Sequence, residues 1–424
     1  MRKQLAIFVA ALMGFGMMAC GKTEETTATN IDSSVNEDSS VSQSDDLTND
    51  NESSTPTYAI TSVSADDYDY FTGYIESIQI TDNEHEALSQ ALDDFFSNQV
   101  YVFNKGVDDY NSEATEFNEE NAKYAKENGY DYDTIKYENN ITVSVIRCDS
   151  SIFSFVIDDF VYLGGAHGGT TVEGYTFDAK TGAQLEAADY CNEDTFAEDA
   201  KNFILDTISN SSEEAKSGLF DTSYSDTITE MFESEVLPTH YMDNRGVTFV
   251  FQQYDIAPYA AGLISFTMPF SMIDGFNEAY IPKDGFYTFG LSANGFTEQI
   301  DVDDDGDLES VSLVNTNNYE QDTYGYALTV EDDSVSESYG DYKYIYGYYI
   351  HAGDGNYILL QDYEDEIVLY EISNGIVRCG TLETELSVKD IEDGKITLAE
   401  IDYDEDGISY SNVETHTYSK AGIE

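Results

Sequence analysis

Tyr162-Leu-Gly-Gly-Ala-His-Gly-Gly-Thr-Thr-Val-Glu-Gly-Tyr-Thr-Phe-Asp-Ala-Lys-Thr-Gly182 is the stretch on which a reading of this chain turns. Gly164, Gly165, Gly168 and Gly169 bracket His167. Glycine lets the backbone pass through φ > 0 and approach other atoms closely. Four of them around one imidazole describe a tight loop that either presents the ring or packs it. Thr171–Phe177 then alternates as a strand does, and Asp178–Gly182 is a polar turn. His167 has two readings: a ligand-contacting or catalytic group, or a hydrogen-bonded ring inside a glycine-rich hairpin. No Cys or Ser sits beside it in the loop, and no second His lies near enough in sequence for a metal pair.

Outward from the loop the pattern is α+β. Ser151–Tyr162 is dense in Phe, Val and Ile and reads as a strand, as do Ile141–Arg147, Tyr58–Val63 and Tyr70–Ile80. Thr81-Asp82-Asn83-Glu84 has the form of a capping box. It opens a helix with Leu88, Ala91, Leu92, Phe95 and Val100 at helical spacing. A second, more polar helix is expected near Glu113–Asn128, stopping at Gly129. Beyond the loop, Phe196, Ala200, Phe203, Ile204 and Ile208 share a helix face, and a shorter helix runs over Asp226–Val236. Strands follow through Phe251 and over Leu263–Met268, with Tyr254 and Tyr259 flanking Pro258. Strands, then helices, then strands make an α+β domain over residues 58–283, divisible into 58–150 and 151–283.

Four motifs of this domain carry a resemblance. They are Gly164-Gly165-Ala166-His167-Gly168, Tyr175–Gly182, Phe249-x-Phe-x-x-Tyr-x-Ile-Ala-Pro-Tyr-Ala-Ala-Gly262, and Met268-Pro-Phe270. Together they resemble the RsiV-like extracellular domain of lysozyme-sensing anti-sigma factors and wall-anchored lipoproteins, found also beside some peptidoglycan deacetylase domains. The likeness is specific over Ile152–Phe276 and looser over Tyr58–Asp149. It implies an envelope protein that binds a cationic muramidase such as lysozyme, or peptidoglycan itself. The expected contact residues are Gly165, His167, Gly168, Tyr254 and Tyr259. The chain shows no sigma-binding segment, spanning helix or deacetylase metal motif, so signalling and deacetylation do not carry over. A wall-modifying hydrolase using His167 with Asp178 or Glu173 is the enzymatic alternative.

Residues 284–424 change character. Turn pairs such as Asn294-Gly295, Asp305-Gly306, Asn374-Gly375 and Asp393-Gly394 separate short runs rich in Tyr, Ile and Val. An all-β domain, a sandwich or partial propeller, is expected. Its sharpest motif is Asp301-Val-Asp303-Asp-Asp305-Gly306-Asp307-Leu-Glu309. Alternate carboxylates, a turn glycine and a ninth-position acid can give Ca²⁺ most of its oxygen ligands. Ser312 stands where an EF-hand has its Glu, so the motif instead resembles the calcium loops set between strands in integrin-type repeats. Asp402-Tyr-Asp404-Glu-Asp406-Gly407 has only the first half of such a loop. The Tyr-rich run Tyr342–Tyr349 suits sugar stacking or, more commonly, a half-buried strand.

The N-terminus reads as targeting sequence. Arg2 and Lys3 precede an apolar run too short for a secure membrane span, ending in Met17-Met18-Ala19-Cys20-Gly21. This looks like a lipobox: residues 1–20 form a lipoprotein signal segment whose Cys20 is lipidated and becomes the mature N-terminus, so the membrane is reached only through a lipid anchor. Residues 21–57 are nearly all Ser, Thr, Asn, Asp and Glu, a disordered tether. Cys148, Cys191 and Cys379 are the other cysteines, and Cys148 with Cys191 could pair. The 424-residue chain holds 84 acidic and 18 basic residues, a formal charge of −66. Nucleic acid, whose phosphates would be repelled, is excluded; cations and basic proteins are favoured.

Overall fold

The computed structural model describes residues 54–65, 68–221, 223–234, 237–283, 285–303, 305–316, 324–339, 345–362, 366–373, 375–404 and 407–424. The lipobox with Cys20, nearly all of the tether, and Asp406 and the side chains of the second acidic run lie outside them.

The first sheet has strand order β1-β2-β3-β4-β5. Its strands are β1 (Tyr58–Ser64), β2 (Phe71–Ile80), β3 (Tyr137–Cys148), β4 (Ile152–Tyr162) and β5 (Gly169–Asp178). Neighbours are antiparallel except β2 and β3, which run parallel from Phe71 opposite Tyr137 to Ile75 opposite Ile141. A parallel pair needs a long crossover, and α1 (Glu86–Asn128) supplies it. β4 and β5 thus complete the sheet that β1–β3 begin, and a division at residue 150 would cut through it.

α1 is one helix of 43 residues where the sequence suggests two. Leu88, Leu92, Phe96, Phe103, Val107, Ala114, Asn118 and Ala125 are buried along its whole length. That stripe carries it through Gly106, whose helical cost is only about 1 kcal/mol. Gly129, left-handed at φ 76°, ends it as expected. Its start differs from the expected capping box. His85 is the N-cap, and Asp82 accepts from the backbone N–H groups of Thr57, Glu84 and His85. The same carboxylate meets His85 Nδ1 at 2.8 Å. These donors hold Asp82 at about 2, against the opposing effect of burial. The Asp178–Gly182 turn then packs on this helix start: a Cβ on Gly182 (φ 69°) would lie 2.4 Å from the Ala87 carbonyl oxygen.

The second unit stacks helices on a small sheet. α2 (Ala187–Tyr190), α3 (Glu193–Asn210), α4 (Glu213–Ser217) and α5 (Ser223–Glu233) precede the antiparallel β6 (His240–Met242), β7 (Gly246–Phe251) and β8 (Ile264–Pro269). All six residues of β7 are buried. The expected α3 face of Phe196, Ala200, Phe203, Ile204 and Ile208 joins Phe232, Phe249, Phe251 and Phe266 in one core.

The C-terminal region is all β, in three antiparallel sheets. One holds β10 (Asn294–Ile300), β11 (Glu309–Asn315), β12 (Tyr324–Val330) and β13 (Asp333–Tyr339). The middle sheet has β9 (Tyr287–Leu291), β14 (Ile345–Ala352), β15 (Gly355–Asp362), β16 (Glu366–Ile372) and β17 (Ile376–Glu383). The last has β18 (Ser387–Glu392), β19 (Lys395–Asp404), β20 (Gly407–Ser419) and β21 (Gly422–Ile423). The middle sheet is buried on both faces. Ile358 and Leu360 pack with Leu313 and Leu328, while Tyr357 and Leu359 pack with Ile396 and Leu398. A continuous apolar run such as Tyr-Ile-Leu-Leu is what a strand covered on both sides requires. The result is a stack of three sheets. Within the Tyr-rich run, Tyr349 is fully buried in the core on one face of this sheet and Tyr348 packs partly buried against the core on the other, while Tyr342 and Tyr344 lie outside the described residues.

No disulfide joins Cys148 and Cys191. The buried Cys148 thiol donates to the Pro56 carbonyl at 3.2 Å, and Cys191 to that of Ala187 at 3.3 Å.

Candidate functional site

The Gly164–Gly169 loop joins β4 to β5, and its shape is set by packing. A Cβ on Gly168 would fall 2.4 Å from the Phe160 ring, so only glycine fits there. His167 is exposed, with Nδ1 2.8 Å from the Gly168 carbonyl. Its ring stacks on Tyr259 at a centroid separation of 3.9 Å and an interplanar angle of 26°. Tyr254 lies 5.9 Å from Tyr259, ring to ring, and its hydroxyl is 3.4 Å from His167 Nε2. Tyr254 is 55% exposed and sits at φ 72°, and Leu163 beside the loop is 43% exposed. A non-glycine residue at positive φ is uncommon, and such strain gathers where a side chain must be aimed. The three rings form a ledge built from two segments 87 residues apart.

A clamp of glutamine side chains brings those segments together. Gln252 Nε2 donates to the Val172 carbonyl at 2.8 Å, and its Oε1 accepts from the Val172 N–H at 2.9 Å. Gln253 Oε1 accepts from Thr170 N, and the Thr239 hydroxyl from Gly174 N. The two glutamine amides and the Thr239 hydroxyl give the outer edge of β5 the hydrogen bonds that another strand would supply. No periodicity marks them in the sequence.

The acids weighed as catalytic partners of His167 lie elsewhere. Asp178 is nine residues along β5 from Gly169, roughly 30 Å at strand rise, and binds the Asp178–Gly182 turn and the Tyr280 hydroxyl. Glu173 accepts the Tyr175 hydroxyl. On the opposite face of β4 from Ile157, Asp158 is driven up to about 7 by burial and by the neighbouring Glu76. Glu76, itself raised by burial, accepts from Val143 N at 2.8 Å just past the last β2–β3 pair.

The acidic loop connects β10 to β11. Carboxylate oxygens of Asp301, Asp303 and Glu309 lie within 4.8 Å of one another. Asp301 accepts from the N–H groups of Asp305 and Gly306, and Glu309 Oε2 from Val302 N at 2.8 Å. Asp305 accepts from Asp307 N and, like Asp307, stands outside the three-carboxylate group. Burial and the charges of Asp303, Asp301 and Asp305 raise the Glu309 carboxyl.

Arginines mark the joints, a signal the sequence held in plain sight: the chain has four, and three lie in the described region. Arg147, 1% exposed, donates to Asp149 at 2.7 Å and to the backbone carbonyls of Asp243 and Tyr280, tying β3 to the second unit. Arg245 donates to Asp243, Thr267 and Glu298 and lies 3.5 Å over the Phe289 ring, tying that unit to β9 and β10. Arg378 on β17 pairs with Glu337 on β13.

Comparisons with known proteins divide the chain along similar lines. Residues 64–170 match the model of a family described as Deacetylase PdaC, and residues 193–271 that of a family described as a protein of unknown function (DUF3298). A DUF3298 family structure from Bacteroides fragilis NCTC 9343 is similar at 19% identity and TM-score 0.41, covering 53% of this chain and 96% of that one. A DUF3298 family protein from Pseudomonas aeruginosa PAO1 is similar at 12% identity and TM-score 0.38, covering 55% and 98%. No curated protein matches the chain. Among the described residues no helix is long and apolar enough to cross a membrane. The chain therefore carries a PdaC-like region, which takes in β2, α1, β3 and β4 as far as the glycine loop, followed by a DUF3298-like region.

Proposed function

We propose that this protein is an extracytoplasmic binding module, held at the envelope through a lipid on Cys20, that captures a cationic wall-active protein such as lysozyme. The observation that carries the reading is the ledge on which His167 and Tyr254 are exposed against a half-buried Tyr259. Rigid tyrosine rings set at a surface are common anchors of protein interfaces. The formal charge of −66 would speed the approach of a basic partner. The RsiV-like resemblance of these segments supports the same partner, and the two family models support the envelope setting.

Peptidoglycan is the second reading, favoured by the same rings, since exposed tyrosines also stack on sugars. A hydrolase is disfavoured by the separation of His167 from Asp178 and by the engagement of Glu173. The PdaC model's name speaks of a deacetylase, but His85 within that match is buried and bonded to Asp82 and the Ser54 carbonyl. Ca²⁺ at Asp301, Asp303 and Glu309 would brace the β10–β11 turn, with Asp305 and Asp307 adding backbone or water-borne ligands.

The test is lysozyme binding to the full chain at about 0.15 M and about 1 M salt, where the screening length falls from roughly 8 to 3 Å. An unrelated basic protein serves as control. Binding that survives high salt, spares the control and is lost in Tyr254→Ala supports a shaped interface. Binding shared by the control reduces the effect to charge and rejects the proposal.

A further inference from the structure

Residues 54–57 lead into β1 at Tyr58 and are strapped to the start of α1. The Thr57 N–H donates to Asp82 Oδ2 at 2.8 Å, and the Thr57 carbonyl accepts from Thr81 N at 2.8 Å. The Ser54 hydroxyl donates to the Glu84 carboxylate, and the Pro56 carbonyl accepts from the buried Cys148 thiol. His85, 4% exposed, stands between the strap and the helix.

Both nitrogens of that ring face acceptors. Nδ1 lies 2.8 Å from Asp82 Oδ1, and Nε2 lies 2.9 Å from the Ser54 carbonyl oxygen. A carbonyl oxygen has no hydrogen to give. Asp82 Oδ1 already accepts from the N–H groups of Glu84 and His85, and Oδ2 from that of Thr57, so this carboxyl is ionised and gives none either. A neutral imidazole has one donor nitrogen and one acceptor. Only the imidazolium donates at both. A neutral ring keeping its proton on Nδ1, toward the carboxylate, would set the bare lone pair of Nε2 against the Ser54 oxygen inside the fold. Such a buried mismatch is costly.

We infer that His85 is a proton-operated latch: as the imidazolium it fastens the strap to α1, and on losing a ring proton it drops one of its two bonds and the strap opens more often. The elements packed around it carry other charges. Glu84 and Glu86 lie at the helix start, Asp178 and Lys180 on the turn that packs there, and Arg147 and Asp149 at the end of β3 beside Cys148. Arg147 and Asp149 pair with each other, and Asp178 is bonded by its own turn and by Tyr280. Among the described residues only Asp82 forms an ion pair with the ring. Burial opposes the charge on Asp82, but the donors around it hold its carboxyl at about 2. Lowering the pH therefore keeps the latch shut, and raising it through the histidine titration loosens it. The strap is where the expected tether reaches the fold, so the hold at that point depends on pH. The latch shares no residue with the His167 ledge and stands whether or not that ledge captures a protein.

The experiment is a titration of the full chain, its histidine rings labelled with ¹⁵N, from about pH 5 to about pH 9. Ring nitrogen shifts separate the imidazolium from either neutral tautomer. The His85→Gln spectrum assigns the signal, and if that variant does not fold, His→Gln at the other histidines assigns it by elimination. Amide exchange at Thr57, corrected for the intrinsic rate at each pH, reports opening of the strap. The expected result is an imidazolium wherever the strap is closed, with Thr57 protection falling about tenfold as that ring loses its proton. In His85→Gln the protection should start lower and show no such step. A neutral His85 ring beside a still protected Thr57 overturns the inference. So does an imidazolium whose loss leaves Thr57 unchanged, or a step that persists in His85→Gln.

Discussion

Two hairpin loops of this molecule are built in opposite ways. The Asp301–Glu309 loop holds itself: Asp301 and Glu309 accept from backbone N–H groups of the same turn. The Gly164–Gly169 loop is held from outside, by Gln252 and Gln253 on the far edge of β5 and by Tyr259 against His167. A self-held loop is written in one short motif and can be read from it. An externally held loop shows only half of itself locally, and its other half is spread over distant residues.

The joint between the halves that carry these loops gives the largest expected effect. Arg245→Ala leaves Asp243 and Glu298 buried without their partner, and breaking a buried pair from one side costs roughly 3–5 kcal/mol. Urea unfolding should show that loss, with the two halves melting apart rather than together. If the single transition persists, the joint is not what couples them.

The strand that carries the glycine loop has its own pH signature. Asp158 sits at about 7 in the folded chain against an ordinary 3.8. Between these values the folded chain keeps a proton that the unfolded chain releases. The favourable contribution is therefore full below about pH 4 and declines as pH rises through about 7. At about 1.4 kcal/mol per pH unit the decline is at most about 4 kcal/mol. Asp158→Asn should flatten it, as seen in melting temperatures from pH 4 to 8. Asp82, held near 2, acts in the opposite sense and in a separate window, losing its contribution only as pH falls below the ordinary range.

The next two effects set the loops directly against each other. Ca²⁺ at a hundredfold excess over its dissociation constant should stabilise the chain by about 2.7 kcal/mol, and Asp303→Asn should abolish that gain. Without Ca²⁺ the same variant, at an exposed residue, should shift stability by under about 0.5 kcal/mol. In the other loop, Gly168→Ala forces a methyl group into Phe160 and should cost about 1–3 kcal/mol. That loss should come together with loss of Tyr254-dependent binding. A variant that folds less well yet binds normally would show that the ledge does not depend on the loop's shape.

What was legible in the sequence follows the same contrast. Strand alternation, the α3 face, the Gly129 stop and the acidic motif are local patterns, and each reappears in the fold. The single α1 was not legible, because Gly106 and the polar residues around it hide a stripe that only the sheet beneath completes. The start of α1 misled because Asp82, rather than the Thr81 and Glu84 of a reciprocal box, collects the donors. Tyr348 and Tyr349 read more readily as a half-buried strand than as a sugar-stacking surface, but only the sheets packed on either side of β14 show which ring each one covers. Tyr254 and His167 are 87 residues apart, and nothing local announces that Gln252 joins their segments.

The arginines of the described region lead to one more consequence. In a chain of this charge every segment pushes on every other, and positive groups act as rivets against that pressure. Those at residues 147 and 245 are sunk away from solvent, where added salt scarcely reaches them. Dissolved ions instead relax the outward pressure between surface carboxylates. Brine should therefore tighten this molecule, and the condition under which it is most easily pulled open is fresh, ion-poor water.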